Sequence, residues 1–116
     1  MNLNHLWKPI FLAAALGIAS FASFNSHALT TTVADAAAIY AAKCAKCHGS
    51  NGAGVEKYKK QGVKDFTDGK WQKSRSDAQF TASIKNGKGE VMPAWKAKLS
   101  EEEIKALVAF VRAFKK

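Results

Sequence analysis

The sequence predicts an all-α domain. Ile104, Leu107, Val108, Val111 and Phe114 recur at helical spacing near the C-terminus and make one apolar face. The stretch from Ala36 to Cys44 is built of Ala, Ile, Tyr and Lys, residues that favour a helix. No run alternates apolar and polar residues with a period of two, so no strand is expected.

The elements follow in chain order. A short linker, LTTTVAD, precedes the first helix, and Thr32 or Asp35 can cap it. Ile39 and Tyr40 stand five and four residues before Cys44, so this helix leads directly into a cysteine motif. Gly49 to Gly54 is rich in Gly, Ser and Asn and reads as a tight loop. The polar, basic stretch from Glu56 to Ser76 shows no clear period; Phe66 and Trp71 are its apolar anchors. A second helix starts at Ser76, with Gln79 three residues on in a capping-box pattern. Phe80 and Ile84 share its face, and Gly87 supplies the stop. A further loop follows, in which Pro93 restricts Met92 to extended backbone. Ser100 and Glu103 open the last helix with another capping box. Glu101 and Glu102 suit the positive end of its dipole, and Lys115 and Lys116 the negative end.

Residues 1–28 read as a signal peptide that is cleaved, and residues 29–116 as the domain. Lys8 is the one early charge, Pro9 to Phe24 is uncharged, and Ser26-His27-Ala28 places small residues before a cut. A cut after Ala22 or an uncleaved anchor are the alternatives; the apolar run is short for a membrane span. No cysteine lies near the cleavage region to take a lipid anchor. Export implies an oxidising compartment, here the periplasm, where spare thiols become disulfides. Removing Lys8 lowers the formal charge from +9 to +8. So small a domain often needs a staple, a metal or a cofactor.

The two cysteines of the chain stand in Cys44-Ala45-Lys46-Cys47-His48. A zinc site normally takes four Cys or His ligands; Cys44, Cys47 and His48 are the only ones after residue 28, so a carboxylate would have to complete it. A thioredoxin-like dithiol belongs at a strand-to-helix junction, and no strands are expected. The third reading uses all three residues. Cys-x-x-Cys-His is the attachment signature of c-type haem, in which both thiols become thioethers and His48 binds the iron. For the sixth ligand the usual candidates are Met, His or an open position. Met92, 44 residues after His48, is the candidate; a lysine or an open site are the alternatives.

At this point the sequence resembles the class I cytochromes c, and within them the small single-haem bacterial periplasmic branch. AAAIYAAKCAKCHGSNGAG resembles the family's first helix, haem motif and glycine loop. SDAQFTASIKNGKGEVMPAW resembles its middle helix and methionine loop, and LSEEEIKALVAFVRAF its last helix. The resemblance implies a cytochrome c fold of three to four helices wrapped around one covalently bound haem c. It implies attachment through Cys44 and Cys47, iron held by His48 and Met92, and single-electron transfer. It also implies that the first and last helices cross closely, with Phe110 facing small residues near Ala36 or Ala37. The sequence departs from the family in one place: many members have a proline whose neighbourhood orients the proximal histidine, and here the only prolines are Pro9 and Pro93. Some carbonyl between Val55 and Phe66 is then expected to accept the other imidazole N–H. Trp71 and Trp95 are expected at the haem periphery, and Arg75 or Lys70 is a candidate partner for a propionate.

Lys57, Lys59, Lys60 and Lys64 surround Tyr58, a pattern that can mark nucleic-acid binding, but export argues against nucleic acid. A solvated lysine face is the bland reading. The functional one is steering toward redox partner proteins with an acidic surface, Lys46, Lys88, Lys96 and Lys98 rimming the haem edge. The expectation is a monomeric, soluble periplasmic electron carrier, not an enzyme, without membrane insertion after cleavage. The alternative is a haem enzyme or gas-binding sensor with an open or labile sixth site; beyond residue 28 no histidine other than His48 could serve as a distal group.

Overall fold

The computed structural model describes residues 31–116. The expected signal peptide, residues 1–28, and its cleavage point lie outside the described residues.

The first helix, α1, spans Val33–Lys43. Both sequence candidates for its cap act together: the Thr32 hydroxyl accepts the Asp35 N–H, and the Asp35 carboxylate accepts the Thr32 N–H at 2.8 Å. A single turn, α2 (Ala45–His48), follows. Two more short segments are α3 (Glu56–Lys59) and α4 (Gly69–Lys73). The longer α5 (Asp77–Asn86) and α6 (Glu101–Arg112) each open with the capping box that the sequence announces at Ser76/Gln79 and Ser100/Glu103. Among the described residues there is no strand, only an isolated bridge between Lys88 and Met92. The fold is thus helical throughout, with three helices of 11, 10 and 12 residues doing most of the building.

The core lies where α1 meets α6. Ala36 and Tyr40 come from α1; Ile104, Leu107, Val108 and Val111 come from α6; Phe66, Phe80 and Leu99 close it. Ala36 is fully buried, and its methyl lets the two helices approach closely. Ile104 and Leu107 are each 1% exposed, which corresponds to about 1.5–3 kcal/mol of hydrophobic stabilisation per side chain. Phe110 rests on Tyr40 with ring centroids 5.1 Å apart, so α1 meets it with an aromatic ring as well as with small residues.

The aperiodic stretch from Glu56 to Ser76 is ordered by polar contacts. The Asp68 carboxylate accepts the N–H groups of Lys70 and Trp71 and starts α4. Gln72 is 1% exposed, and its amide nitrogen donates to the carbonyls of Phe66 (2.7 Å) and Val111 (2.9 Å). Arg112 at the end of α6 donates to the carbonyls of Gln72 and Arg75 and to Asp77, with its guanidinium over the Phe80 ring. One glutamine and one arginine therefore tie α4, α5 and α6 together.

Candidate functional site

α1 delivers the cysteine motif. Cys44 ends α1, its N–H donating to the Tyr40 carbonyl, and also starts α2. Cys44 and Cys47 are free and half-buried within one helical turn. The carbonyls that leave this turn are all engaged. The Val55 N–H donates to Cys47 (2.9 Å), the Gly54 N–H to His48 (2.7 Å), and the Tyr40 hydroxyl to Gly49 (2.7 Å). Gly52 then passes under the Phe114 ring with φ +76°; a Cβ there would lie 2.6 Å from the ring. The motif is thereby fastened to both crossing helices.

Burial pushes the Cys44 thiol up to about 11; neighbouring Lys43 works against this shift and Cys47 with it. Cys44 is therefore protonated at neutral pH, unlike the low-pKa thiolate of a dithiol catalyst. Burial also lowers the pKa of His48, so its imidazole is neutral and free to donate a lone pair. Among the described residues no three His, Cys, Asp or Glu side chains converge as a metal cage would.

His48 stacks face to face on Phe66, with centroids 4.5 Å apart and planes 16° apart. Its Nδ1 is buried and has no hydrogen-bond partner. This corrects the expectation of an accepting carbonyl between Val55 and Phe66. The carbonyls of Val55, Tyr58, Lys59, Asp65 and Phe66 accept from local turns and from Gln72. Beyond Phe66 lies Trp71, whose Nε1–H is also buried and without an acceptor. Phe80 meets Trp71 edge-on at 5.6 Å. Arg75 lies over the Trp71 ring at 5.9 Å, while Lys70 is exposed.

The Met92 segment is held differently. Lys88 and Met92 exchange backbone hydrogen bonds of 2.9 and 3.2 Å. The N–H groups of Trp95 and Lys96 donate to the carbonyls of Ile84 and Lys85, satisfying the orphan C-terminal end of α5. Gly87 has φ 71° and ψ −178°, a region open to glycine alone, and a Cβ there would run into the Met92 carbonyl. Met92 is half-buried, whereas Val91 is 40% exposed.

The two parts meet at Trp95. Lys43, the neighbour of Cys44, stands 5.3 Å from the Trp95 ring centroid, and Lys98 stands 5.6 Å from it. Cys44 and Trp95 pack against the same core. The structure thus gathers Cys44, Cys47 and His48 in one turn and brings Trp95, three residues after Met92, against Lys43 at the end of α1. Sequence reasoning did not single out Gln72 or the Tyr40 hydroxyl; a polar residue in an aperiodic stretch carries no local sign of a buried partner.

The family described as cytochrome C oxidase, cbb3-type, subunit III matches residues 31–111. A cbb3-type cytochrome c oxidase subunit FixP from Azorhizobium caulinodans is 47% identical over 75 residues, covering 65% of this chain and 25% of the relative. The FixP subunit of Bradyrhizobium sp. is 33% identical over 104 residues, 87% of this chain and 35% of the relative. The chain thus spans a quarter to about a third of the length of these relatives. The solved c-type cytochrome KustC0563 superposes with a TM-score of 0.67 at 38% identity, covering 70% of this chain and 98% of that one.

Proposed function

The chain belongs to the cbb3-type cytochrome c oxidase subunit III family, and on that footing we propose that it is a one-haem carrier of single electrons, a class I cytochrome c working in the periplasm. Membership in the cytochrome c family brings a covalently bound haem c and a part in electron transfer. The remainder is our reading of this chain's residues. The observation that carries it is the meeting of the Cys44–His48 turn with the methionine segment through Lys43 and Trp95.

The site residues fit the group. Two half-buried thiols without a disulfide stand one turn apart, and a neutral imidazole follows directly. The buried Trp71 N–H lacks an acceptor, which a haem propionate can provide. When bound, haem c exchanges one electron between ferric and ferrous iron. Cys44 and Cys47 would hold its edge through thioethers, and His48 and Met92 would bind its iron. Tyr40 and the glycine loop fix the turn that presents His48. The aromatic layer of Phe66, Trp71 and Phe80 excludes water from its back. These groups bind and insulate, and the role we propose for the chain is electron transfer.

Exposed Lys46, Lys88, Lys96 and Lys98, with Lys43 at Trp95, suit an acidic docking surface on a redox partner. The relatives' standing as oxidase subunits supports redox proteins as the partners. Among the described residues no helix is long and apolar enough to cross a membrane. We propose a monomer.

The reading is tested by expression with haem-attachment machinery and denaturing mass spectrometry. The expected mass is the processed chain plus one haem. The bare polypeptide mass would overturn it.

A further inference from the structure

One basic cluster takes no part in the site. Lys57, Lys59, Lys60 and Lys64 surround Tyr58 in the sequence, and the chain folds them into a single knob just past the cysteine turn. That turn has two ends. Lys43 before it meets Trp95 of the methionine arm, and Val55 after it donates to the Cys47 carbonyl and opens α3. From there the chain closes on itself: the Tyr58 and Lys59 N–H groups donate to the Val55 carbonyl, and the Val63 N–H to the Tyr58 carbonyl. The acids of the knob are engaged locally. Glu56 pairs with Lys59 at 3.3 Å, and the Asp65 carboxylate accepts from the Thr67 N–H and hydroxyl. Lys57, Lys60 and Lys64 are exposed and enter no ion pair among the described residues. The C-terminus joins the same face. The Lys116 N–H donates to the Thr67 carbonyl at 3.1 Å. The Thr67 hydroxyl chiefly holds the Asp65 carboxyl below its ordinary range, and Lys59 and Lys116 add to this from nearby.

We propose that this knob is a membrane-docking face, which holds the exported protein against anionic phospholipid headgroups and leaves the methionine arm to the redox partner. Charge alone does not choose between a bilayer and an acidic protein; the make-up of the face does. A protein interface is built on a buried apolar or aromatic centre from which lysine is depleted. Among the described residues the exposed large hydrophobic side chains are Val33 and Val91, and neither belongs to the knob. Val91 instead falls between Lys88 and Lys96 in the chain, on the arm that suits the protein partner. The knob offers flexible ammonium groups in no fixed register, and a plane of phosphates satisfies them without one. The docking rests on the periplasmic reading for its setting and on no iron ligand.

The test uses the haem-loaded protein and two variants of equal charge, Lys57→Gln/Lys60→Gln/Lys64→Gln and Lys88→Gln/Lys96→Gln/Lys98→Gln. Each is sedimented at low salt with vesicles of phosphatidylcholine alone and of phosphatidylcholine mixed equally with phosphatidylglycerol. The parent is expected to bind the mixed vesicles, to ignore the neutral ones and to be released by salt. The knob variant should lose on the order of a hundredfold in partitioning, from about fivefold per lysine, and the matched variant several-fold less. Equal losses, a greater loss in the matched variant, or binding to the neutral vesicles overturns the proposal. Acetylation of the vesicle-bound parent, read by mass spectrometry, decides without any variant. Lys57, Lys60 and Lys64 should be shielded while Lys88 and Lys96 still react; the reverse pattern overturns it. So does stopped-flow oxidation by an acidic blue-copper protein that slows more in the knob variant than in the matched one, which would give the face to a protein. Vesicle binding is read on the purified protein, so its failure is distinct from a failure of the periplasmic reading, which a chain recovered from the cytoplasm would show.

Discussion

The cysteine turn and the methionine arm are both short and irregular, yet they are fastened in opposite ways. Around Cys44–His48 the backbone is tied to α1 through Tyr40, to Phe114 just past the end of α6 through Gly52, and to the chain beyond it through Phe66. The segment from Gly87 to Leu99 hangs on the end of α5 through the N–H groups of Gly87, Trp95 and Lys96, and closes on itself through the pair of bonds between Lys88 and Met92. One half is tied to α1 and to the chain just past α6; the other is tied to the end of α5 and enters the core at Leu99. Damage to the first half should therefore cost folding and haem together, and damage to the second should cost ligation while the fold survives.

The largest effect is expected at the turn itself. Cys44→Ser and Cys47→Ser should each lose most covalent haem, and the apo chain should show weakened helical circular dichroism, since so small a domain depends on its cofactor for core volume. Retention of full helicity without haem would place more of the core in the polypeptide than this comparison allows.

Next comes Gly52→Ala. A Cβ there meets Phe114 at 2.6 Å on a backbone with positive φ. Left-handed backbone and overpacking together cost about 2–4 kcal/mol. Denaturant unfolding of the haem-loaded protein should show this loss, with the axial spectrum of the surviving folded fraction unchanged.

Gly87→Ala makes the matching break in the other half. Its Cβ would strike the Met92 carbonyl and the backbone of Pro93 and Ala94. Here the sixth ligand should be lost before the fold. The ferric protein should bind added imidazole or cyanide readily, as Met92→Ala should too, while helical content holds. Met92→His should keep six-coordination and lower the potential.

The smallest effect concerns the surface at which the two halves meet. Lys43→Glu should remove a cation from Trp95 and slow electron exchange with an anionic partner at low salt, with little change in stability. Lys46→Glu or Lys96→Glu should act alike, and Lys116→Glu less. The differences should fade as the Debye length falls to about 10 Å at 0.1 M salt. Stopped-flow rates that ignore salt would leave these lysines as a solvated face.

The same contrast decides what the sequence could reveal. The helix starts at Thr32, Ser76 and Ser100 were legible because a capping box is a local device, complete within four residues. The Cys-x-x-Cys-His turn was legible because its chemistry is also local. The short helices α3 and α4 were not, since one turn has no period to detect and α4 hangs on a single cap at Asp68. The Phe66–His48 stack joins residues 18 apart, and Gln72 reaches Val111 across 39 residues. Nothing in either residue type announces such a partner.

The central claim is a fixed proximal turn beside a releasable methionine arm. Slow warming of the ferric haem-loaded protein tests it most directly, following the near-infrared thioether-to-iron band and far-ultraviolet circular dichroism together. The expected result is a band present at low temperature that disappears well before helical content does, with haem still covalently attached afterwards. A band that is never present, or one that vanishes only as the helices melt, would contradict the account.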